Sequence, residues 1–233
     1  MGTRHLIAVE DKKGKLKIAQ YGQWDGYFEG QGRRVLEFIA DPLNLAMLEK
    51  ALPNIRFFTK KDDRMLKKWD EIVQGKSPFD VLKDNPGVYA EKDKLIAYFQ
   101  RFNSRDIGAK ILQNVCMYDQ GTPLDISDKI SLTNSYEFGK NSLFCEYAYV
   151  LRMKDQVLEV YTGFNQDKLK EGARFPTVQE EVDKAFSYTD ERWYGSNLLI
   201  EIPFADIQKL GPDIIVKNLI AMTKSDDAED SND

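Results

Sequence analysis

The stretch that decides the fold is residues 144–161, FCEYAYVLRMKDQVLEVY. Aromatic and β-branched side chains, which suit a half-buried pleated surface, fill both halves of this stretch. The polar pair Lys154-Asp155 separates the halves and supplies a turn. The pattern therefore predicts two strands, within 142–153 and 156–163, that pair as an antiparallel hairpin.

A second hairpin is predicted at the start of the chain, over 4–10 and 16–24. Apolar residues alternate in both segments, and Gly14 in the turn between them is free to adopt a positive φ. The first of these strands is expected to be central in a sheet. Shorter strands or extended segments are expected at 55–58, 129–135 and 196–202.

Apolar residues at helical spacing predict several helices between and after these strands. The predicted ranges are 33 onward, 42–52, 61–73, 91–102, 105–116, 177 onward, 204–210 and 213–222. In the helix over 42–52, the apolar face is assigned to Leu43, Ala46, Met47 and Ala51.

Strands and helices are segregated along the chain rather than alternating. This arrangement favours an α+β fold, with a mainly antiparallel sheet and helices packed on it. Residues 33–117 form a helical middle segment, either an insertion between two sheet-forming parts or a layer that covers one face of the sheet. We expect a single domain over 1–224, followed by a disordered acidic tail over 225–233, which holds five acidic residues and no basic residue.

The charge balance argues against a nucleic-acid-binding protein. The formal net charge is −5, and the acidic tail accounts for all of it, so the body carries no basic excess for a phosphate backbone. No apolar run approaches the ~20 residues that span a bilayer, and the first residues lack a secretory apolar segment. Cys116 and Cys145 lie among apolar residues and are expected to be buried thiols. A cytoplasmic location follows as the expectation.

The chemically richest segment is residues 21–34, YGQWDGYFEGQGRR. Free N–H groups at a helix start favour an anion, arginines suit phosphate or carboxylate, and aromatic rings can stack on a base. We therefore expect a pocket for a nucleotide-like anion. The residues expected to line it are Arg4, Tyr21, Gln23, Asp25, Tyr27, Gly30, Gly32, Arg33 and Arg34.

The alternative for this segment is purely structural. In that interpretation the glycines form turns, the aromatic residues pack in the core and the arginines are solvated. The segment is neither a Walker A loop nor a dinucleotide fingerprint, because Gly30-Gln31-Gly32 is followed by no Gly-Lys-Ser/Thr and by Val35 where a third glycine belongs.

Other polar residues give weaker indications of chemistry. His5 is the only histidine, which excludes a multi-histidine metal site, and no metal or cofactor is expected. Thr3 is a conceivable N-terminal nucleophile if both preceding residues are removed. Glu146 and Glu159 lie on the two strands of the 144–161 hairpin, either close together as an acid pair or on a solvent-facing surface.

Two blocks of the chain resemble a group of proteins from bacteriophages, bacteria and some fungi. The first block is MGTR at 1–4 with AQYGQWDGY at 19–27 and GQG at 30–32, and the second is EYAYV at 146–150 with LEVYTGFN at 158–165. Members commonly carry a proline where this chain has Phe28, which alters the turn. The resemblance implies a phage origin and implies that both blocks belong to one site or one core. It implies no catalytic residues, because the group has no established activity.

Two functions from different classes follow from these observations. The first is a ligand-binding or interaction protein, phage-encoded, whose partner is a small nucleotide-like anion or a host protein. The alternative is a hydrolase with an N-terminal-nucleophile-like arrangement. The sequence leaves the oligomeric state open.

Overall fold

The computed structural model describes residues 2–60, 62, 78–87, 107–118, 130–176 and 193–229. Seven strands are present in this part of the chain: β1 His5–Glu10, β2 Leu16–Gly22, β3 Ile55–Phe57, β4 Ile130–Leu132, β5 Tyr147–Arg152, β6 Val157–Thr162 and β7 Asn197–Pro203. Five of them form a sheet of order β2-β1-β5-β6-β7, and β3 pairs with β4 in a separate parallel pair.

Both predicted hairpins are present. β1 pairs antiparallel with β2, and β5 pairs antiparallel with β6, which in turn pairs antiparallel with β7. Gly14 in the first turn has a φ of 73°. The hairpins are joined by a parallel pairing of β1 with β5, so β1 lies inside the sheet between β2 and β5, and β5 is the middle strand of the five.

Six α-helices lie in the described residues: α1 Arg33–Ala40, α2 Pro42–Ala51, α3 Pro78–Asp84, α4 Lys110–Tyr118, α5 Phe204–Leu210 and α6 Pro212–Glu229. A mostly antiparallel mixed sheet with these helices is an α+β fold, which confirms the predicted class. The helices predicted at 61–73, 91–102 and from 177 lie outside the described residues. The helix predicted over 105–116 begins only at Lys110.

The start of α2 follows from local chemistry. Pro42 occupies the first turn, and the Asp41 carboxylate accepts a hydrogen bond from the Leu43 N–H at 2.9 Å. The predicted apolar face of this helix is wrong in part, because Leu43 is 71% exposed and Met47 42% exposed.

The face of α2 that is buried instead carries Leu45, Leu48 and Ala51. Apolar residues surround this helix on nearly every side, so helical spacing alone does not select which side faces the core.

One face of the sheet packs against the helices and holds the larger core cluster. From the strands it takes Ile7, Tyr149 and Val160, and from the helices it takes residues of α1, α2, α4, α5 and α6: Leu36, Ile39, Leu48, Leu112, Ile207 and Leu219. Within 33–117, helices α1, α2 and α4 thus share one core with the sheet.

The opposite face of the sheet has a smaller apolar cluster. Its strand residues are Leu6, Ala8, Ala19, Ala148, Val150 and Tyr161, and Phe175 covers them from the segment after β6. Small alanine side chains leave this face shallow, so residues 163–176 can cross close to the strands. The candidate site described below lies on this face.

The last helix is longer than predicted. α6 was expected to end at Met222 and continues to Glu229, which takes it into the acidic segment that was expected to be disordered. Residues 230–233 lie outside the described part, so for them the disordered tail stays a prediction.

Candidate functional site

The glycine-rich segment is folded tightly against strand β5. The Tyr149 hydroxyl donates a hydrogen bond to the Gly26 carbonyl at 2.8 Å, and both groups are buried. A Cβ at Gly32 would lie 2.6 Å from the Tyr149 hydroxyl oxygen, so only glycine fits there without a shift. The rings of Phe28 and Tyr147 meet edge to face at 5.0 Å. The two sequence blocks that carry the resemblance therefore share one packed core.

The start of α1 is not an open anion site. A π-helical turn, Phe28–Gly32, precedes the helix and uses its own N–H groups. Gln31 N–H donates to the Asp25 carbonyl at 2.7 Å, and the Gly30 and Gly32 N–H groups donate to the Tyr27 carbonyl at 3.0 and 3.2 Å. Arg33 N–H also bonds backbone carbonyls of this turn. The backbone N–H groups of residues 30–33 are therefore not free to bind a phosphate at the start of this helix.

The three arginines of the predicted pocket do not converge on one site. Arg4 forms an ion pair with Glu146 at 3.4 Å, and its guanidinium lies 4.8 Å from the centre of the Phe144 ring. Arg33 pairs with Asp213 of α6, and this hydrogen bond raises the pKa of Arg33.

Arg34 lines a different groove, of about 350 Å³, between α1 and α4. The remaining predicted residues are also dispersed. The Tyr21 hydroxyl donates to Gln23, while Asp25 and Tyr27 are exposed and Gly30 packs on the Asp25 backbone. The structure does not bring these nine residues into one cleft.

The proposed Glu146–Glu159 pair is wrong. Tyr147 is opposite Thr162 and Val150 is opposite Glu159 in the β5–β6 register, so the two carboxylates lie at different levels of the hairpin. The solvent-face interpretation of Glu159 is wrong as well, since this residue is only 4% exposed.

Glu159 belongs to a buried ion-pair network on the shallow face of the sheet. Arg174, from the segment after β6, lies between two carboxylates: its Nε is 2.5 Å from Glu159 Oε2 and its Nη1 is 2.5 Å from Glu10 Oε1. Arg152 Nη1 lies 3.0 Å from Glu159 Oε1 and 3.1 Å from Glu201 Oε1. Four strands of the sheet are thereby linked to residues 163–176 through two guanidinium groups.

The network shifts the protonation equilibria of its members. Burial acts to lower the pKa of Arg174, but hydrogen bonds to Glu159 and Glu10 outweigh it and raise the pKa. Burial and the neighbouring Glu159 carboxylate raise the pKa of Tyr161, whose hydroxyl donates to Glu159 at 2.8 Å. The guanidinium groups and the Tyr161 hydroxyl are therefore held in their protonated forms.

A cleft of about 850 Å³ opens above this network. Its lining is dominated by charged and amide side chains from β5, β6, β7 and residues 165–174, namely Arg152, Glu159, Asn165, Asp167, Lys168, Lys170, Arg174, Asn197 and Glu201. Lys168 and Lys170 are exposed, and neither forms an ion pair with a described residue. At the base of the cleft the two guanidinium groups are paired with carboxylates. The exposed part of the lining carries Asp167 and two ammonium groups, Lys168 and Lys170, that form no ion pair among the described residues.

Sequence reasoning missed this cleft. Arg174 lies in a segment without periodic apolar residues, so nothing marked its side chain as buried. The one available signal was Glu159 itself, a charged residue at a strand position between Leu158 and Val160.

His5 is a second buried polar residue without a catalytic arrangement. It is 1% exposed, and neither ring nitrogen has a hydrogen-bond partner among the described residues. No Ser-His-Asp triad is therefore built around it in that part of the chain. Thr3 is half-buried and its carbonyl accepts a hydrogen bond from Gly26 N–H at 2.9 Å, so the N-terminal-nucleophile hypothesis stays a prediction.

Cys116 and Cys145 are free and buried, as predicted, and burial raises the pKa of both thiols, to about 11 and about 12. Among the described residues, no group of three or more His, Cys, Asp or Glu is arranged to hold a metal ion. No helix in the same residues is long and apolar enough to cross a membrane.

No protein-family model, no curated protein and no solved structure matches the chain. The resemblance to phage, bacterial and fungal proteins therefore stays a prediction.

Proposed function

We propose that this protein binds a small anionic ligand, such as a nucleotide, in the cleft above the Arg174 network. The observation that carries the proposal is the pair of ammonium groups of Lys168 and Lys170, which have no ion-pair partner in the described part of the chain, at the rim of a cleft of about 850 Å³. Ligand pockets of roughly 300–1,000 Å³ are typical for small molecules. The expected pocket at 21–34 is thus replaced by one on the other face of the sheet.

The base of the cleft supports recognition of the uncharged part of such a ligand. Glu201 is half-exposed and offers a carboxylate to a ligand hydroxyl, while Asn165 and Asn197 add amide groups to the lining. Arg174 is bonded to Glu10 and Glu159, so it holds residues 163–176 on the sheet rather than contacting the ligand. A site whose supporting groups are already fixed loses little entropy when a ligand binds.

The two lysines supply the charge contact. A hydrogen bond to a charged group contributes about 1.5–3 kcal/mol, and solvent screening at an exposed rim reduces that figure. Removal of both ammonium groups is therefore expected to weaken binding by at least about tenfold, since 1.4 kcal/mol corresponds to a factor of ten.

A thermal-shift screen followed by titration calorimetry tests the proposal. The full chain is screened against nucleoside mono-, di- and triphosphates, cyclic nucleotides and sugar phosphates, together with their uncharged parent compounds. We expect a phosphorylated compound to stabilise the wild-type protein and its parent compound to have no effect.

Two double variants decide where a binding compound lies. Lys168→Ala with Lys170→Ala should lose the stabilisation. Lys209→Ala with Lys217→Ala, which removes two exposed lysines from α5 and α6 on the opposite face of the sheet, should retain it. Equal affinity in both double variants, or no stabilisation by any compound, would overturn the proposal.

A further inference from the structure

The loop over residues 23–29 displays aromatic and acidic side chains. Trp24 is 49% exposed and Tyr27 40% exposed, although large aromatic residues are usually buried. Asp25 and Glu29 are exposed too, and neither carboxylate forms a hydrogen bond or an ion pair with a described residue. Four side chains within six residues therefore face solvent, two of them apolar rings and two of them unpaired anions.

Hydrogen bonds to Thr3 and Tyr149 hold the backbone of this loop in place. Gly26 N–H donates to the Thr3 carbonyl at 2.9 Å, and the Gly26 carbonyl accepts from the Tyr149 hydroxyl. Asp25 adopts a left-handed conformation with a φ of 57°, and its carbonyl accepts from Gln31 N–H. Side chains on a backbone held this way meet a partner without first being ordered, which favours affinity.

Two nearby arginines are already paired with other carboxylates, and the exposed Arg34 lines the separate groove between α1 and α4. The Glu29 carboxylate interacts electrostatically with Arg33, but the guanidinium of Arg33 is already bonded to Asp213. Arg4, on the adjacent strand end, is neutralised by Glu146. His5 lies beneath the loop, where burial lowers its pKa to about 4, so it adds no positive charge at neutral pH.

We propose that the 23–29 loop is a docking surface for a basic segment of another protein. Lysine or arginine side chains of that segment lie over the rings of Trp24 and Tyr27 and pair with Asp25 and Glu29. A cation over an aromatic ring is attracted by the negative face of the ring, and tryptophan, tyrosine and arginine are the residues that most often dominate interface energetics. This surface is independent of the anion cleft, and it inverts the charge preference expected for the same segment from its sequence.

The test is a titration of the full chain with an arginine-rich peptide and, separately, with a glutamate-rich peptide of equal length, followed by calorimetry at low and at physiological ionic strength. We expect the arginine-rich peptide to bind with a salt-dependent affinity and the glutamate-rich peptide not to bind.

The variant Asp25→Asn with Glu29→Gln removes both charges and keeps the side-chain shapes, and asparagine tolerates the left-handed backbone at position 25. It should lower the affinity for the arginine-rich peptide at least tenfold. Trp24→Ala should do the same. The control variant, Asp206→Asn with Glu171→Gln, removes two exposed acids elsewhere and should bind like the wild type.

Three results would overturn the proposal. One is an arginine-rich peptide that binds all variants equally, which indicates attraction to the overall negative charge. Another is the absence of binding at low ionic strength. The third is a change of oligomeric state in Trp24→Ala during size-exclusion chromatography, which assigns the surface to a second copy of this chain.

Discussion

Replacing His5 with leucine should change how stability depends on pH. His5 is buried under Gly22 and Gly26, where neither ring nitrogen makes a well-formed hydrogen bond to a described residue, and a Cβ at Gly22 would overlap its ring. Burial lowers the pKa of His5 from 6.5 to about 4, and only a weak interaction with the Thr3 backbone opposes the shift. The folded protein therefore holds the neutral imidazole, and protonation favours the unfolded chain.

The sign follows from proton binding. As the pH falls from 6.5 towards 4, the unfolded state binds a proton at His5 before the folded state does, so the free energy of unfolding falls. One pKa unit corresponds to 1.36 kcal/mol, which gives a total loss of about 3 kcal/mol across this window. The loss is about 1.4 kcal/mol near pH 5.5 and about 2.5 kcal/mol near pH 4.5. Above the ordinary histidine pKa the contribution is complete and constant.

Urea denaturation followed by tryptophan fluorescence measures this effect. His5→Leu and the wild type are compared between about pH 7.5 and about pH 4.5. Because His5 is the only histidine, the difference between the two profiles isolates its titration, while carboxylates titrate alike in both proteins. At neutral pH the variant should be at least as stable as the wild type, since leucine leaves no buried polar atom unsatisfied. Parallel profiles, differing by less than about 0.5 kcal/mol over this range, would refute a buried neutral imidazole.

Two further predictions concern the core and the ion network. Gly32→Ala should destabilise the protein by about 1–3 kcal/mol, because the new Cβ clashes with the Tyr149 hydroxyl. The double variant with Tyr149→Phe should lose less stability than the sum of the two single variants, because the phenylalanine lacks the clashing oxygen. Additive losses of stability in urea denaturation would contradict this contact. Arg174→Met should cost about 3–5 kcal/mol, because it removes the cation paired with Glu10 and leaves Arg152 as the one cation paired with the buried Glu159 carboxylate among the described residues. Glu201→Gln, at a half-exposed position, should cost under 1 kcal/mol. Similar losses for both variants would show that the network is not buried.

The sheet was predictable where the pattern is local. Alternating apolar residues and a turn gave both hairpins, and Phe204–Leu210 was predicted with its observed bounds. The parallel pairing of β1 with β5 was not predictable in the same way, because it joins residues such as Leu6 and Ala148 that no local pattern connects. This pairing places β1 inside the sheet, between β2 and β5, as expected, although its parallel partner was not predicted.

The candidate site was predicted from composition, and composition identifies groups without their partners. Arg33 was assigned to a ligand, but its partner Asp213 lies 180 residues away. Glu159 was expected either in an acid pair with Glu146 or on a solvent-facing surface, because its burial depends on Arg174 crossing the sheet. The glycines of 21–34 leave space for the Tyr149 side chain and for close backbone packing within the loop. Their spacing in the sequence does not distinguish this role from that of a phosphate-binding loop.

The β1–β5 pairing has a consequence for synthesis of the chain. The first hairpin leaves the ribosome early, but the strand that covers its inner edge begins only at Tyr147. At about 5–20 residues per second, that edge waits roughly 7 to 27 seconds for its partner. During this interval the unpaired N–H and C=O groups of β1, flanked by Leu6, Ile7 and Val9, are open to any other extended segment nearby. Yield during expression should therefore depend on translation speed and chaperone supply more than the stability of the finished fold suggests.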